Sequence, residues 1–197
     1  MILHNKYDKP TLRKKLESEE FKRITLSFYR YMVVENVNAF RDDLYQSFSK
    51  LGVLGRIYVA SEGINAQISV PEHSWNEFRD FLDRHPLLTR MDLKIAIEDD
   101  GHSFIKLIVR TRNKIVADGL QDNSFDVTNV GKHLSAREFN EAMDHPGTVV
   151  VDMRNHYESE VGHFNGAVLP DADTFKQELP MVLDLLKDKK DQKILLY

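Results

Sequence analysis

The chain has 197 residues, enough for one large domain or two small ones, and its 42% hydrophobic and 29% charged content is ordinary for a soluble globular protein. It contains no cysteine, which excludes disulfides, thiolate metal sites and thiol nucleophiles within these residues. No apolar run approaches the roughly 20 residues that span a bilayer and no signal-peptide core follows Met1, so a cytoplasmic protein with no membrane partner is expected.

Charge is unevenly placed. Residues 1–130 carry 19 Lys+Arg and 19 Asp+Glu, while residues 131–197 carry 8 and 12, so the net −4 lies in the second part. Overall charge therefore gives no nucleic-acid signature, and any such surface must be a local patch.

Residues 1–19 read as a lead-in. Ile24, Leu26 and Phe28 alternate with polar neighbours, the period of a half-buried strand. Phe40, Leu44, Phe48 and Leu51 fall at helical spacing, and Gly52 stops the helix. Residues 56–60 form a second strand, Ser61-Glu62-Gly63 a turn, and Ile64, Ala66, Ile68 and Val70 the inward face of a third. Ser74 and Glu77 have the spacing of a capping box for a helix with Trp75, Phe78 and Leu82 inward, ended by Pro86. Leu93, Ile95 and Ile97 predict another alternating strand, Asp99-Asp100-Gly101 a turn, and residues 104–112 a last strand. The order β-α-β-β-α-β plus one strand predicts a ferredoxin- or acylphosphatase-like α+β sandwich over residues 20–115.

In that last strand Lys106, Arg110, Arg112 and Lys114 share one face, opposite Ile105, Leu107 and Val109. A row of cations suits phosphate contacts. It equally suits a solvated edge strand whose charges discourage aggregation. Glu62-Gly63-Ile64-Asn65 likewise reads as a turn or as a functional loop.

Residues 116–130 are polar and aperiodic, as expected of a linker. Ser135 and Glu138 form another capping box, with Phe139 and Met143 on the inner side of a short helix. Thr148-Val149-Val150-Val151 is a β-branched run of the kind found in parallel strands covered on both faces, and Asp152 and Arg154 stand at its carboxyl end, where open α/β sheets place their ligands. An ion pair between Arg154 and Glu158 is expected to brace the loop that follows. Residues 193–197 read as a second parallel strand.

Asp152-Met153-Arg154, then Glu158, then Gly162-His163-Phe164-Asn165-Gly166-Ala167 is similar to the rhodanese signature. The resemblance implies the front part of an α/β rhodanese-like domain with a parallel sheet over residues 131–197. It implies an active-site scaffold of Asp152, Arg154, Glu158 and His163, the histidine structural rather than basic. The reactive group of a rhodanese is a cysteine in the loop after the next strand, cradled by backbone amides. No catalytic residue is assigned within this chain. That cysteine is expected immediately after Tyr197, and residues 1–197 alone are expected to be inactive.

Adding Ser61-Glu62-Gly63-Ile64-Asn65-Ala66-Gln67-Ile68-Ser69 and Ile115-Val116-Ala117-Asp118-Gly119, nearly the whole chain resembles the bacterial tRNA uridine(34) hydroxylase family. The resemblance implies an oxidoreductase of tRNA modification that forms 5-hydroxyuridine at the wobble position. Its partner is the tRNA anticodon loop, molecular oxygen is its co-substrate, and neither a cofactor nor a protein partner is evident. With that substrate, Lys106, Arg110, Arg112 and Lys114 become candidates for tRNA binding. Two other readings remain: a plain sulfurtransferase, and a non-catalytic rhodanese-like binding module. His156-x-Glu158 also matches the start of a two-His-one-carboxylate iron site, but a second histidine is unspecified and no metal ligands are assigned. No glycine-rich dinucleotide fingerprint is present.

Overall fold

The alternation of apolar and polar residues after position 22 is realised as a five-stranded mixed sheet with the order β4-β1-β3-β2-β5. In the computed structural model, which describes residues 7–97, 101–116, 119, 126 and 129–197, this sheet belongs to the first of two units, Met1–Val116 and Ala117–Tyr197. Its strands are β1 (Arg23–Tyr31), β2 (Leu54–Ala60), β3 (Gly63–Pro71), β4 (Lys94–Ile95) and β5 (Leu107–Thr111). β1 pairs antiparallel with β3 and β4, β2 antiparallel with β3, and β5 runs parallel to β2 at the edge.

One register row joins Phe28, Ala66, Ile57 and Val109, all buried. Against it pack α2 (Val37–Lys50), through Phe40, Leu44 and Phe48, and α3 (Trp75–Arg84), through Phe78 and Leu82. Phe48 and Phe78 are fully enclosed, their ring centroids 5.4 Å apart. Each such side chain contributes roughly 2–3 kcal/mol by leaving water. Both helices thus share one face of the sheet.

Three local expectations need correction. Ser74 makes no side-chain cap bond, because residues Glu72–Ser74 form a 3-10 turn leading directly into α3. Its backbone (φ −93°, ψ 1°) is not the extended conformation that aims a capping hydroxyl at the helix amides. The strand expected at Leu93, Ile95 and Ile97 shrinks to two residues at the sheet edge, where Ile95 is half exposed and Ile97 almost wholly so. The lead-in contains α1 (Lys9–Glu17), which Asp8 caps by accepting from the Thr11 amide at 3.1 Å, with Pro10 in the first turn. Of the turn expected at 99–101, residues 99 and 100 lie outside the described residues, as does most of the segment 116–130.

The loop Ser61-Glu62 and the start of β3 clasp the end of the first unit. Glu62 Oε1 accepts from the Ile115 amide at 2.8 Å, and Asn65 Nδ2 donates to the Ile115 carbonyl at 3.2 Å. Gly63 at φ +151° permits this, since a Cβ there would stand 2.1 Å from the Arg30 carbonyl oxygen.

The second unit is built on β6 (Val149–Val151) and β7 (Ile194–Leu196), which pair in parallel, with a parallel bridge from Val151 to Val168. Its helices are α4 (Ala136–Met143), α5 (His156–Val161) and α6 (Phe175–Leu185). Ser135 and Glu138 form the expected capping box at α4, with Ser135 in extended backbone (φ −67°, ψ 161°). Among the described residues no helix is long and apolar enough to cross a membrane.

Candidate functional site

Two parallel strands bring their carboxyl ends together at Asp152 and Tyr197. The Met153 amide donates to the Tyr197 carbonyl at 2.7 Å, and the Tyr197 amide donates to the Val151 carbonyl at 3.2 Å. Asp152 is wholly buried, and a buried carboxylate needs a partner. Arg154, two residues on, folds back to provide it. Its Nε and Nη2 donate to the two oxygens of Asp152 at 2.9 and 2.7 Å, and its amide adds a bond at 3.0 Å. Burial alone would raise the Asp152 pKa, but the Arg154 side chain and amide and the Tyr197 hydroxyl outweigh it and hold the carboxyl below its ordinary value. The same pair raises the Arg154 pKa.

The expected Arg154–Glu158 ion pair is therefore overturned. The nearer, fully buried Asp152 takes both arms of the fork, and Nη2 also donates to the Gly162 carbonyl at 2.6 Å. Glu158, in the first turn of α5, instead accepts from Asn155 Nδ2 at 3.0 Å. The loop from 154 to 162 is still braced by Arg154, but through a carbonyl. His163 is exposed, and its Nδ1 lies 2.9 Å from the Ser159 carbonyl, which can only accept, so Nδ1 carries the proton there.

Side chains outside the expected scaffold of Asp152, Arg154, Glu158 and His163 complete the cluster. The Tyr197 ring lies under the Arg154 guanidinium (5.3 Å) and against Phe164 (4.7 Å), whose ring in turn meets Phe139 (5.3 Å). The Tyr197 hydroxyl accepts from the Phe164 amide at 3.2 Å, and burial pushes its pKa up. Glu178, on α6, is 1% exposed with Oε1 unpartnered among the described residues. Burial, reinforced by the Asp152 charge, raises its carboxyl to about 7. An acidic residue set directly against an apolar run, Leu179-Pro180-Met181-Val182, was the available signal.

His156 has Glu160 at 3.5 Å and Asp171 at 3.7 Å as its charged neighbours rather than Glu158. Among the described residues no three His, Asp or Glu side chains converge as metal ligands.

In the first unit the basic row lies on and beside the edge strand β5. Arg110 is within the strand, and Lys106 and Arg112 flank it, all three exposed. Lys114 lies beyond the strand and is half-buried. The Arg112 guanidinium sits over the Tyr58 ring at 5.1 Å.

A mixed α+β sandwich with α2 and α3 on one face, followed by a parallel α/β unit carrying a buried, arginine-locked aspartate at its strand ends, defines a two-part protein of acylphosphatase-like front architecture. Residues 23–115 match the family model described as the UPF0176 acylphosphatase like domain. The chain is 58% identical over 195 residues to a Leptospira interrogans protein named tRNA uridine(34) hydroxylase, covering 99% of this chain and 53% of that protein. It is 49% identical to the protein of that name from Yersinia enterocolitica and 48% identical to that from Yersinia pestis, covering all of this chain and 56% of each. Over its whole length the chain is similar to proteins named tRNA uridine(34) hydroxylase, and it spans about half the length of the curated relatives it matches. Among solved structures, the dark-state BLUF protein BlrB aligns at a TM-score of 0.35 and 15% identity over 48% of this chain and 76% of that one, too weak a likeness to carry an argument.

Proposed function

We propose that this chain supplies the RNA-recognising unit and the active-site framework of an oxygen-dependent tRNA hydroxylase that forms 5-hydroxyuridine at the wobble position. The observation that carries the reading is the identity of 48–58% running through both units to proteins named for that reaction. Those names favour hydroxylation over sulfur transfer or a non-catalytic module.

In this reading the second unit is the front of a rhodanese-like domain. The loop after β7 carries the cysteine, and molecular oxygen is consumed without a bound cofactor. The Asp152–Arg154 fork and the ring of Tyr197 set the direction in which the chain leaves the paired strand ends. The guanidinium beside Tyr197 favours an anionic thiolate nearby. The target uridine has to be unstacked to expose C5, which an anticodon loop permits more readily than a duplex. Lys106, Arg110, Arg112 and Lys114 follow its phosphates, in the cytoplasm where tRNA is modified.

The test is nucleoside mass spectrometry of tRNA from cells lacking the gene, complemented with the complete gene product or with its variant having serine in place of the cysteine. Loss of 5-hydroxyuridine restored only by the first supports the reading. Undiminished 5-hydroxyuridine without the gene refutes it, and thiosulfate-to-cyanide transfer by the purified protein in that case would establish the sulfurtransferase.

A further inference from the structure

The face of the first unit's sheet opposite α2 and α3, bordered at one end by α1 through Lys9 and Leu12, is a patterned surface. Strand pairing puts Tyr29, Asn65, Tyr58 and Arg110 in one straight row across β1, β3, β2 and β5. The neighbouring row is Lys94, Ser27, Gln67, Arg56 and Ile108, across β4, β1, β3, β2 and β5. Tyr29 is 62% exposed although it is a large aromatic residue, and Gln67, Arg56 and Arg110 are exposed beside it. None of the nine side chains is a carboxylate. Lys94 is matched by Asp92 at 2.7 Å, whereas Arg56 and Arg110 have no ion-pair partner among the described residues.

From these rows we infer that the open sheet face is a stacking platform for unpaired bases of single-stranded RNA, with Tyr29 as its principal ring and the Arg112-capped Tyr58 as its second. Strands in a sheet lie about 4.8 Å apart, so Tyr29 and Tyr58, separated by β3, stand about 10 Å from one another. A phenol or guanidinium plane accepts any base by stacking, the exposed Gln67 between them offers an amide donor and acceptor to base edges, and Arg56 and Arg110 face the backbone phosphates. The second row ends beside a cavity of about 260 Å³ lined by Tyr7, Phe104, Lys106, Arg56 and Ile108, which extends the aromatic and cationic surface past the sheet edge. A duplex buries its base faces and cannot use the rings, so the partner is a loop rather than a helix. The inference rests on the tRNA reading above and assigns the base-holding role to residues outside the basic row.

The test uses the 197-residue chain, a fluorescent anticodon stem-loop RNA and an RNA duplex of equal length, with binding followed by anisotropy over a range of salt. Tyr29→Ala is expected to weaken stem-loop binding roughly tenfold to a hundredfold while leaving duplex binding within about twofold, because one stacked base is lost. Tyr29→Phe keeps the ring and is expected to bind like wild type. Arg110→Ala should weaken both RNAs and lower the slope of log affinity against log salt by about 0.7–0.9. Tyr29 is exposed enough for unfolding not to intervene, and far-UV circular dichroism verifies that. Stem-loop binding indifferent to Tyr29→Ala, or lost equally for the duplex, overturns the platform while leaving the tRNA reading standing. No stem-loop binding by the wild-type chain also overturns it, and the nucleoside analysis then judges the tRNA reading by itself.

Discussion

Replacing Glu178 by glutamine removes a buried titration whose cost is set by the structure. The wild-type carboxyl has its pKa raised from 4.5 to about 7, by burial first and by the Asp152 charge second. The folded chain therefore keeps a proton that the unfolded chain releases, and stability falls as pH rises through that interval. One pKa unit is about 1.4 kcal/mol, so the cost to the wild type grows from roughly 1 kcal/mol near pH 5 to roughly 3 kcal/mol above pH 7. Glu178→Gln should be more stable than wild type by these amounts. Amide hydrogen exchange of Val149 and Tyr197, which donate across the β6–β7 pair to the Lys193 and Val151 carbonyls, reads the difference, with both proteins compared at the same pH so that intrinsic exchange rates cancel. A stabilisation that does not change with pH, or one that shrinks as pH rises, would refute the reasoning.

Arg154→Ala leaves the buried Asp152 charge without its partner. Because the Arg154 side chain is 36% exposed, the expected loss is about 2–4 kcal/mol, at the lower end for a broken buried pair. Glu158→Ala should cost about 1 kcal/mol or less, having only the Asn155 amide to lose, and equal shifts in thermal melting for the two variants would restore the pairing read from the sequence. Gly63→Ala puts a Cβ 2.1 Å from the Arg30 carbonyl and should cost at least about 2 kcal/mol, seen in unfolding followed by the single tryptophan, Trp75. Unfolding within about 0.5 kcal/mol of wild type would contradict the geometry of that turn.

The strands and helices that make the first core were legible because burial imposes a period on them. Ile24, Leu26 and Phe28, and Ile64, Ala66, Ile68 and Val70, can face inward only as strands, and Phe40, Leu44 and Phe48 only as a helix. The same logic failed at Ile97, since alternation records the side of a strand and not how far the covering helices reach. It failed again at Ser74, where the residue types of a capping box are present but the preceding 3-10 turn withdraws the backbone conformation. At the candidate site the sequence marked Asp152, Arg154 and Glu158 as a charged set, but the pairing expected from it, Arg154 with Glu158, was the wrong one. That choice depends on which carboxylate is buried, a tertiary fact. The rows across the open sheet were hidden for a related reason. Periodicity shows which residues of one strand share a face, while the register that sets Tyr29 in line with Tyr58 and Arg110 exists only between strands.

The parallel pairing of β5 with β2 has a consequence for how the first unit comes into being. The hairpin from β2 to β3 closes over a turn of a few residues, but Gly55 meets Leu107 only after some fifty residues of intervening chain have been ordered. Contacts this distant form late, and during synthesis β5 is also the last strand of the sheet to be made. Tyr58 thus belongs to a local hairpin, whereas Arg110 and Arg112 come beside it only through a pairing that spans some fifty residues. Any ligand seated across that margin of the sheet would hold β5 against β2, so binding there and completion of the fold would draw on the same strand pairing.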